Sequence, residues 1–255
     1  MIGSVVLDLD GVVYLEDRAV PGALRAMMAL ETAGYRLVFC TNNSSRTPAQ
    51  VAAKLRRITG YPARGRQVLS SAEAAARLLA EDRPLCLVLG GAGIDHALST
   101  AGIAVTTDWS KAGAVVVGVD FDLTYGRLRD AVRAVRGGAR LVATNLDPTY
   151  PTPDGEWPGA GAIVASVETA AGVDAEPAGK PFKAMRDLLK ENLGPGPVWV
   201  VGDRVETDLA MAAAEPGWRG ILVLTGVTTP SDHLNPTTHL VAADLTEAAH
   251  LIMET

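Results

Sequence analysis

The chain has 255 residues, 48% of them apolar and 20% charged, with a formal net charge of −6; that is ample for a sizeable core in one or two domains. Interspersed acids and bases under a negative balance exclude the clustered Lys and Arg that nucleic-acid phosphates require; the richest basic stretches, Lys54–Arg57 with Arg64 and Arg66, and the helix carrying Arg127, Arg129, Arg133 and Arg136, read as solvated faces. No apolar run approaches the ~20 residues of a membrane span, the chain enters a strand with no leader-like segment, and Cys40 and Cys86 in apolar runs read as buried thiols, so a cytoplasmic location without a membrane partner is expected.

Strand-like runs alternate with helix-length amphipathic segments, the pattern of a largely parallel α/β sheet. The first strand, Ser4–Leu9, is an apolar run that delivers Asp8 and Asp10, with Gly11 and Val12 after them. A helix from Pro21 to about Thr32 follows, with Pro in its first turn and Gly34 beyond its end. Arg36–Thr41 is a strand stopping at Asn42-Asn43-Ser44-Ser45, and Ala49–Ile58 and Ala72–Ala80 read as helices. A second series comprises strands at Leu85–Leu89, Ala114–Val119 and Ala139–Ala143. Helices at Ile94–Thr100, Leu123–Val135 and Gly161–Ala171 alternate with them. After Gly179-Lys180-Pro181 come a helix to about Glu191, a strand Val198–Val201 ending in Gly202-Asp203, a short helix Asp208–Ala214, and a strand Gly220–Leu224 ending in Thr225-Gly226.

The strand ends that carry polar residues lie near the two termini, and residues 76–178 carry none of those motifs. The economical organisation is a core of residues 1–75 and 179–255 with an α/β domain, 76–178, inserted between its halves. In an open α/β sheet, ligands sit beyond the carboxyl ends of the strands, which is where Asp8, Asp10, Thr41 and Asp203 would stand.

Those residues suit phosphoryl transfer to a carboxylate. An anionic nucleophile approaches an anionic phosphate only if charge is neutralised by a divalent cation and a cationic side chain. Asp8 and Asp203, with a backbone carbonyl, could hold Mg2+. Lys180 would add a point charge, and the Thr41 hydroxyl with nearby N–H groups would bind phosphoryl oxygens. Asp10 would protonate the leaving oxygen and then activate the hydrolytic water. Other motifs fall short. Gly91-Ala92-Gly93 lacks the third glycine of a dinucleotide turn, and Gly179-Lys180 lacks the Ser/Thr and the upstream glycine of a P-loop. His96, His233, His239 and His250 have no ligand spacing, nothing suggests zinc, and no nucleophile-elbow sequence supports a serine triad.

Four segments in order, Asp8-Leu9-Asp10-Gly11-Val12, Thr41-Asn42-Asn43-Ser44-Ser45, Gly179-Lys180-Pro181 and Gly202-Asp203-Arg204 through Thr207-Asp208, resemble the four motifs of the haloacid-dehalogenase superfamily. The chain is most similar to its NagD-like, 4-nitrophenylphosphatase or pyridoxal-phosphate-phosphatase branch, and the likeness covers essentially its whole length. The resemblance implies a Rossmann-like three-layer α/β core with a mainly parallel sheet and a large inserted α/β cap. It implies a Mg2+-dependent phosphomonoester hydrolase acting on small metabolites (sugar phosphates, nucleotides, phosphoglycolate- or pyridoxal-phosphate-like esters) as a monomer or homodimer. Asp8 would be the nucleophile forming an aspartyl-phosphate and Asp10 the general acid/base. Thr41, Asn42, Asn43 and Lys180 would hold the phosphoryl group, and Asp8, Asp10, Asp203 and Asp208 would serve the metal, Asp208 through water or as an orienter. A receiver domain, a true dehalogenase and a phosphosugar mutase fit less well in length, in Asp10 and in cap position. Ala212–Trp218 departs from the Gly- and Asn-containing helix usual there, which touches local packing rather than chemistry.

The polar stretch 144–155 is the candidate for leaving-group contacts through Asn145, Asp147 and Tyr150, which would favour hydroxylated leaving groups, or else a structural connection. A non-catalytic phosphometabolite-binding module on the same fold is the competing reading.

Overall fold

A computed structural model describes residues 2–152, 154–228 and 240–255. In chain order the elements are β1 Gly3–Leu7, β2 Tyr14–Leu15, β3 Arg18–Ala19, α1 Ala23–Thr32, β4 Tyr35–Thr41, α2 Pro48–Thr59, β5 Val68–Ser70, α3 Ser71–Leu78, β6 Cys86–Leu89 and α4 Ala92–Thr100. There follow β7 Ala114–Val117, α5 Tyr125–Arg136, β8 Arg140–Ala143, β9 Thr149–Thr152, β10 Gly155–Pro158, α6 Ala160–Ala171 and β11 Glu176–Pro177. The chain ends with α7 Lys183–Asn192, β12 Val198–Gly202, α8 Ala210–Ala213, β13 Trp218–Val223, β14 Leu240–Ala242 and α9 Leu245–Met253. The order is that of an α/β protein, and no described helix is long and apolar enough to cross a membrane.

By contacts the chain divides into two units, Met1–Thr41 with Ala49–Leu69 and Leu189–Thr255, and Asn42–Pro48 with Ser70–Leu188. The expected seams at 75 and 179 therefore differ from the contact division. The seven residues after β4 group with the second unit, to which Asn42 is bonded: the Asn42 carbonyl accepts from Ser71 Oγ at 2.6 Å and from Asn145 Nδ2 at 2.7 Å.

In the first unit the sheet runs β14-β13-β12-β1-β4-β5. β1 lies between β12 and β4, parallel to both, with Leu7 opposite Val201 and Phe39. The strands are apolar runs buried on both faces, as a covered parallel sheet demands. Leu7, Phe39, Trp199 and Val201 meet Met27 and Leu30 of α1, Leu55 of α2, and Leu245, Ala248 and Ile252 of α9 in one core. Leu30 is fully buried there; Leu30→Ala should cost about 3 kcal/mol, read as a lowered midpoint in urea unfolding.

The second unit holds a parallel sheet in the order β11-β8-β7-β6. Leu89, Val115, Val117 and Leu141 pack there with Ala134 of α5 and Val164 and Val167 of α6. Ser70 and Glu73 open α3 with reciprocal side-chain-to-backbone bonds, a capping box. Cys40 and Cys86 are buried and form no disulfide, and burial pushes the Cys86 thiol up to about 11, away from the thiolate that reactivity needs.

Three regions depart from the sequence expectations. The stretch 144–155, expected as a polar loop, contributes the hairpin β9–β10, in which Tyr150 pairs with Trp157. The short helix expected over Asp208–Ala214 is present as the single turn α8, Ala210–Ala213, but a wide π-helical turn, Val205–Leu209, leads into it. The helix expected from Lys180 begins at Lys183. His96 and His250 are exposed, and His233 and His239 lie outside the described residues.

Candidate active site

β1 ends at Leu7, and Asp8 follows it, its N–H donating to the Val201 carbonyl at 2.9 Å. That bond carries the parallel ladder one residue past β1 and holds Asp8 beside the end of β12. In the flanking strands, Asp203 and Thr41 each stand two residues past the partners of Leu7, Val201 and Phe39. The site thus forms where β1 has β4 on one side and β12 on the other. The chain leaves neighbouring strands in opposite directions there, opening a crevice at their carboxyl ends.

Carboxylate oxygens of Asp8, Asp203 and Asp208 lie within 4.8 Å of one another. Asp203 is 2% exposed and Asp208 1%. Three like charges this close, two of them buried, require a compensating cation, and a set made only of oxygens suits a hard divalent ion such as Mg2+. The backbone is shaped to admit these groups. Gly11 has φ +83°, and a Cβ on Gly11 or on Gly226 would collide with the Asp203 carboxylate. Val227 N–H donates to Asp203 Oδ2 at 2.7 Å and Thr225 Oγ1 to the Gly11 carbonyl at 2.5 Å, so the segment after β13 clamps both. The π-helical turn places Asp208: its N–H and that of Leu209 both donate to the Arg204 carbonyl, and Thr207 Oγ1 donates to Asp208 Oδ2 at 3.2 Å. Such wide turns recur at functional sites.

Among the described residues, that carboxylate group does not include Asp10, which was expected among the metal residues. Asp10 lies in the tight turn after Leu9, where the Leu9 carbonyl accepts from Val13 N–H at 2.9 Å and Asp10 forms a bridge with Tyr14. Buried Leu9 separates the two aspartates.

In the second unit, Asn42 is a hub. Its Oδ1 accepts from Lys180 N at 2.7 Å, while Nδ2 donates to the Lys180 carbonyl at 3.3 Å and to Asp147 at 3.3 and 3.4 Å. Asn145 donates to the Asn42 carbonyl, and its Oδ1 accepts from Asp147 N at 3.0 Å. Lys180 is 4% exposed. The amides expected to meet substrate, Asn42 and Asn145, are therefore engaged in fixing the loop that carries Lys180. Asn43 Oδ1 accepts from Ser45 N and Oγ, and Asn43 Nδ2 donates to the phenolic Oη of Tyr150 at 3.2 Å. The clamp at Gly226 and Val227 is absent from the sequence expectations, although Thr225-Gly226 at a strand end is a visible signal.

Comparison with known proteins identifies the family. A family model described as haloacid dehalogenase-like hydrolase matches residues 5–104, and a second model of like hydrolases matches 177–248. Human chronophin is 37% identical over 242 residues, covering 88% of this chain and 81% of that protein. Acid sugar phosphatase of Staphylococcus aureus is 36% identical, covering 91% and 90%. The crystal structure of a glycerol phosphate phosphatase from Mycobacterium tuberculosis, in complex with magnesium, superposes with a TM-score of 0.86 at 33% identity. That match covers 96% of this chain and 75% of that one. The chain belongs to the haloacid dehalogenase-like hydrolases, in their NagD-like and 4-nitrophenylphosphatase branch.

Proposed function

We propose that the protein is a Mg2+-dependent phosphomonoesterase acting on small phosphorylated metabolites. The observation that carries this is the grouping of Asp8, Asp203 and Asp208 at the carboxyl ends of β1 and β12. Its relatives are named as phosphatases of sugar phosphates and glycerol phosphate.

Asp8, Asp203 and Asp208 would hold the ion, which when bound neutralises phosphoryl charge and so lets a carboxylate approach it. Asp8 attacks phosphorus, forming an aspartyl-phosphate as the ester P–O bond breaks, and Asp10 gives its proton to the leaving oxygen. Asp10 then takes a proton from water, which attacks the same phosphorus and frees phosphate and Asp8. The Thr41 hydroxyl binds phosphoryl oxygens and Lys180 balances their charge, with Asn42 holding the Lys180 backbone in place. Asn43, Asn145 and Asp147 orient substrate or the loop around it. The core of residues 1–75 and 179–255 carries the chemistry and 76–178 the leaving-group selectivity. The net charge of −6, without a basic cluster, supports small esters over nucleic acid. We place the protein in the cytoplasm as a monomer or homodimer.

Phosphate release from 4-nitrophenyl phosphate tests the reading. Turnover should require Mg2+, fall to background in EDTA and return when Mg2+ is restored. Wild-type protein that binds a panel of phosphate esters and releases phosphate from none would be a binding module instead.

A further inference from the structure

The parallel sheet of the second unit has an open edge at β6, its last strand. Leu85 and Leu89 turn their carbonyls to the β7 side, accepting from Ala114 N at 3.3 Å and from Gly118 N at 2.8 Å. Backbone groups alternate in direction along a strand, so Cys86 and Val88 face the outer side. Cys86 is paired there: its N–H donates to the Ala104 carbonyl at 2.9 Å, and its carbonyl accepts from Thr106 N at 2.8 Å. That pairing is a single bridge, Cys86 with Val105, and does not reach Val88. The Val88 carbonyl accepts instead from Arg127 Nη2 at 3.2 Å. The Val88 N–H has no partner among the described residues.

Val88 lines a cavity of about 340 Å3, whose walls include Leu87, Val105, Asp95 of α4, and Arg127 and Asp130 of α5. Small-molecule sites run from roughly 300 to 1,000 Å3, so this one suits a small ligand. All these residues belong to the second unit, and phosphoryl transfer uses none of them. Asp130 is already neutralised by Arg129 at 2.8 Å. Arg127 is held by Asp120 at 2.6 Å and by the carbonyls of Asp122 and Val88, and a guanidinium has five N–H donors to offer. Asp95 differs. It is exposed at the rim, and among the described residues its carboxylate has no hydrogen bond or ion pair. Desolvation by the wall raises its pKa while Arg127 pulls the other way. Such a carboxylate gains from a cation brought beside it.

We propose that this cavity is a binding site for a free α-amino acid with an apolar side chain. The ammonium goes to Asp95, the carboxylate to Val88 N–H and Arg127, and the side chain lies along Leu87 and Val105. A negative and a positive group that share one cavity without pairing to each other match the two ends of a zwitterion. An amine alone leaves the Val88 N–H without an acceptor, and a carboxylic acid alone leaves Asp95 without a cation. A peptide added as a strand needs a run of open backbone groups for its ladder. This edge offers one residue, Val88, between the Cys86 bridge and the end of β6.

The test follows backbone amide resonances of the 15N-labelled full chain by NMR during titration with L-leucine. The Val88 amide should move and saturate. 3-Methylbutylamine, which lacks the carboxylate, and 4-methylpentanoate, which lacks the ammonium, should each bind about tenfold more weakly or worse, the usual loss when a charged hydrogen-bonding partner is removed. L-Glutamate, with the same two head groups and a charged side chain, should also bind about tenfold more weakly, because the apolar wall disfavours that charge. Asp95→Asn should weaken L-leucine about tenfold and leave 4-methylpentanoate within twofold. Val88→Pro removes the N–H at an outward-facing edge position, where proline is tolerated, and should abolish L-leucine binding. Where Val88→Pro lowers the unfolding midpoint, the exposed Asp95→Asn variant decides alone. A Val88 amide unmoved by L-leucine overturns the proposal. So does an amine that binds as tightly as L-leucine, which would leave a plain cation site, or L-leucine binding unchanged in Asp95→Asn.

Discussion

Asp8→Asn should bring phosphate release to background, a loss on the order of 10^4-fold or more in kcat, as expected when a nucleophile is removed. The amide keeps the size of the carboxylate but lacks its nucleophilic charge. Asp8 is only partly buried, and its backbone N–H, bonded to the Val201 carbonyl, is untouched by the change. Stability should therefore hold or rise slightly, because one of three adjacent negative charges is gone. Asp10→Asn should differ: loss of acid/base help costs about 10^2- to 10^4-fold, with the covalent step still available. Phosphate release and thermal unfolding of both variants check this. An Asp8→Asn enzyme within tenfold of wild type would exclude Asp8 as nucleophile.

Gly226→Ala should damage the metal site from outside it. The added methyl would fall on the Asp203 carboxylate, so either Asp203 rotates or the segment after β13 moves, and the bond from Val227 N–H to Asp203 Oδ2 is lost. Altering what orients a ligand carboxylate lowers metal affinity on the order of 10- to 100-fold. The crowding itself costs about 1–3 kcal/mol of stability. A Mg2+ titration of activity should shift to higher concentration by that factor, with kcat partly restored at saturation, and the unfolding midpoint should fall. An unchanged activation curve would show that the glycine notch does not seat the ligand.

Much of the first unit is legible in the chain because its strands are buried on both faces. Val5–Leu7 and Val198–Val201 are unbroken apolar runs, and a charged residue directly after such a run has to stand at a strand end. Because β1, β4 and β12 run parallel, Asp8, Thr41 and Asp203 stand at the same end of the sheet. α9 is equally readable, since Leu245, Ala248, Ala249 and Ile252 recur at helical spacing and are all buried, yet the sequence expectations stop at Gly226. β9 and β10 are hidden by Pro151, Pro153 and Pro158, which weaken any strand pattern.

The amino-acid sequence by itself determined the α/β class and which apolar runs end at polar or acidic residues. These depend on local periodicity and on where polar residues interrupt apolar runs, both written along the chain. Only the tertiary structure decided that Asp208 joins Asp8 and Asp203, that Asn42 is spent on holding Lys180, and that Phe121 meets Tyr150 and Trp157. Each of those depends on segments far apart in sequence. The first turns on a π-helical turn that shifts the facing of Asp208, the second on an amide whose partner lies 138 residues away. Spacing along a chain carries no information about such contacts until the sheet brings the segments together.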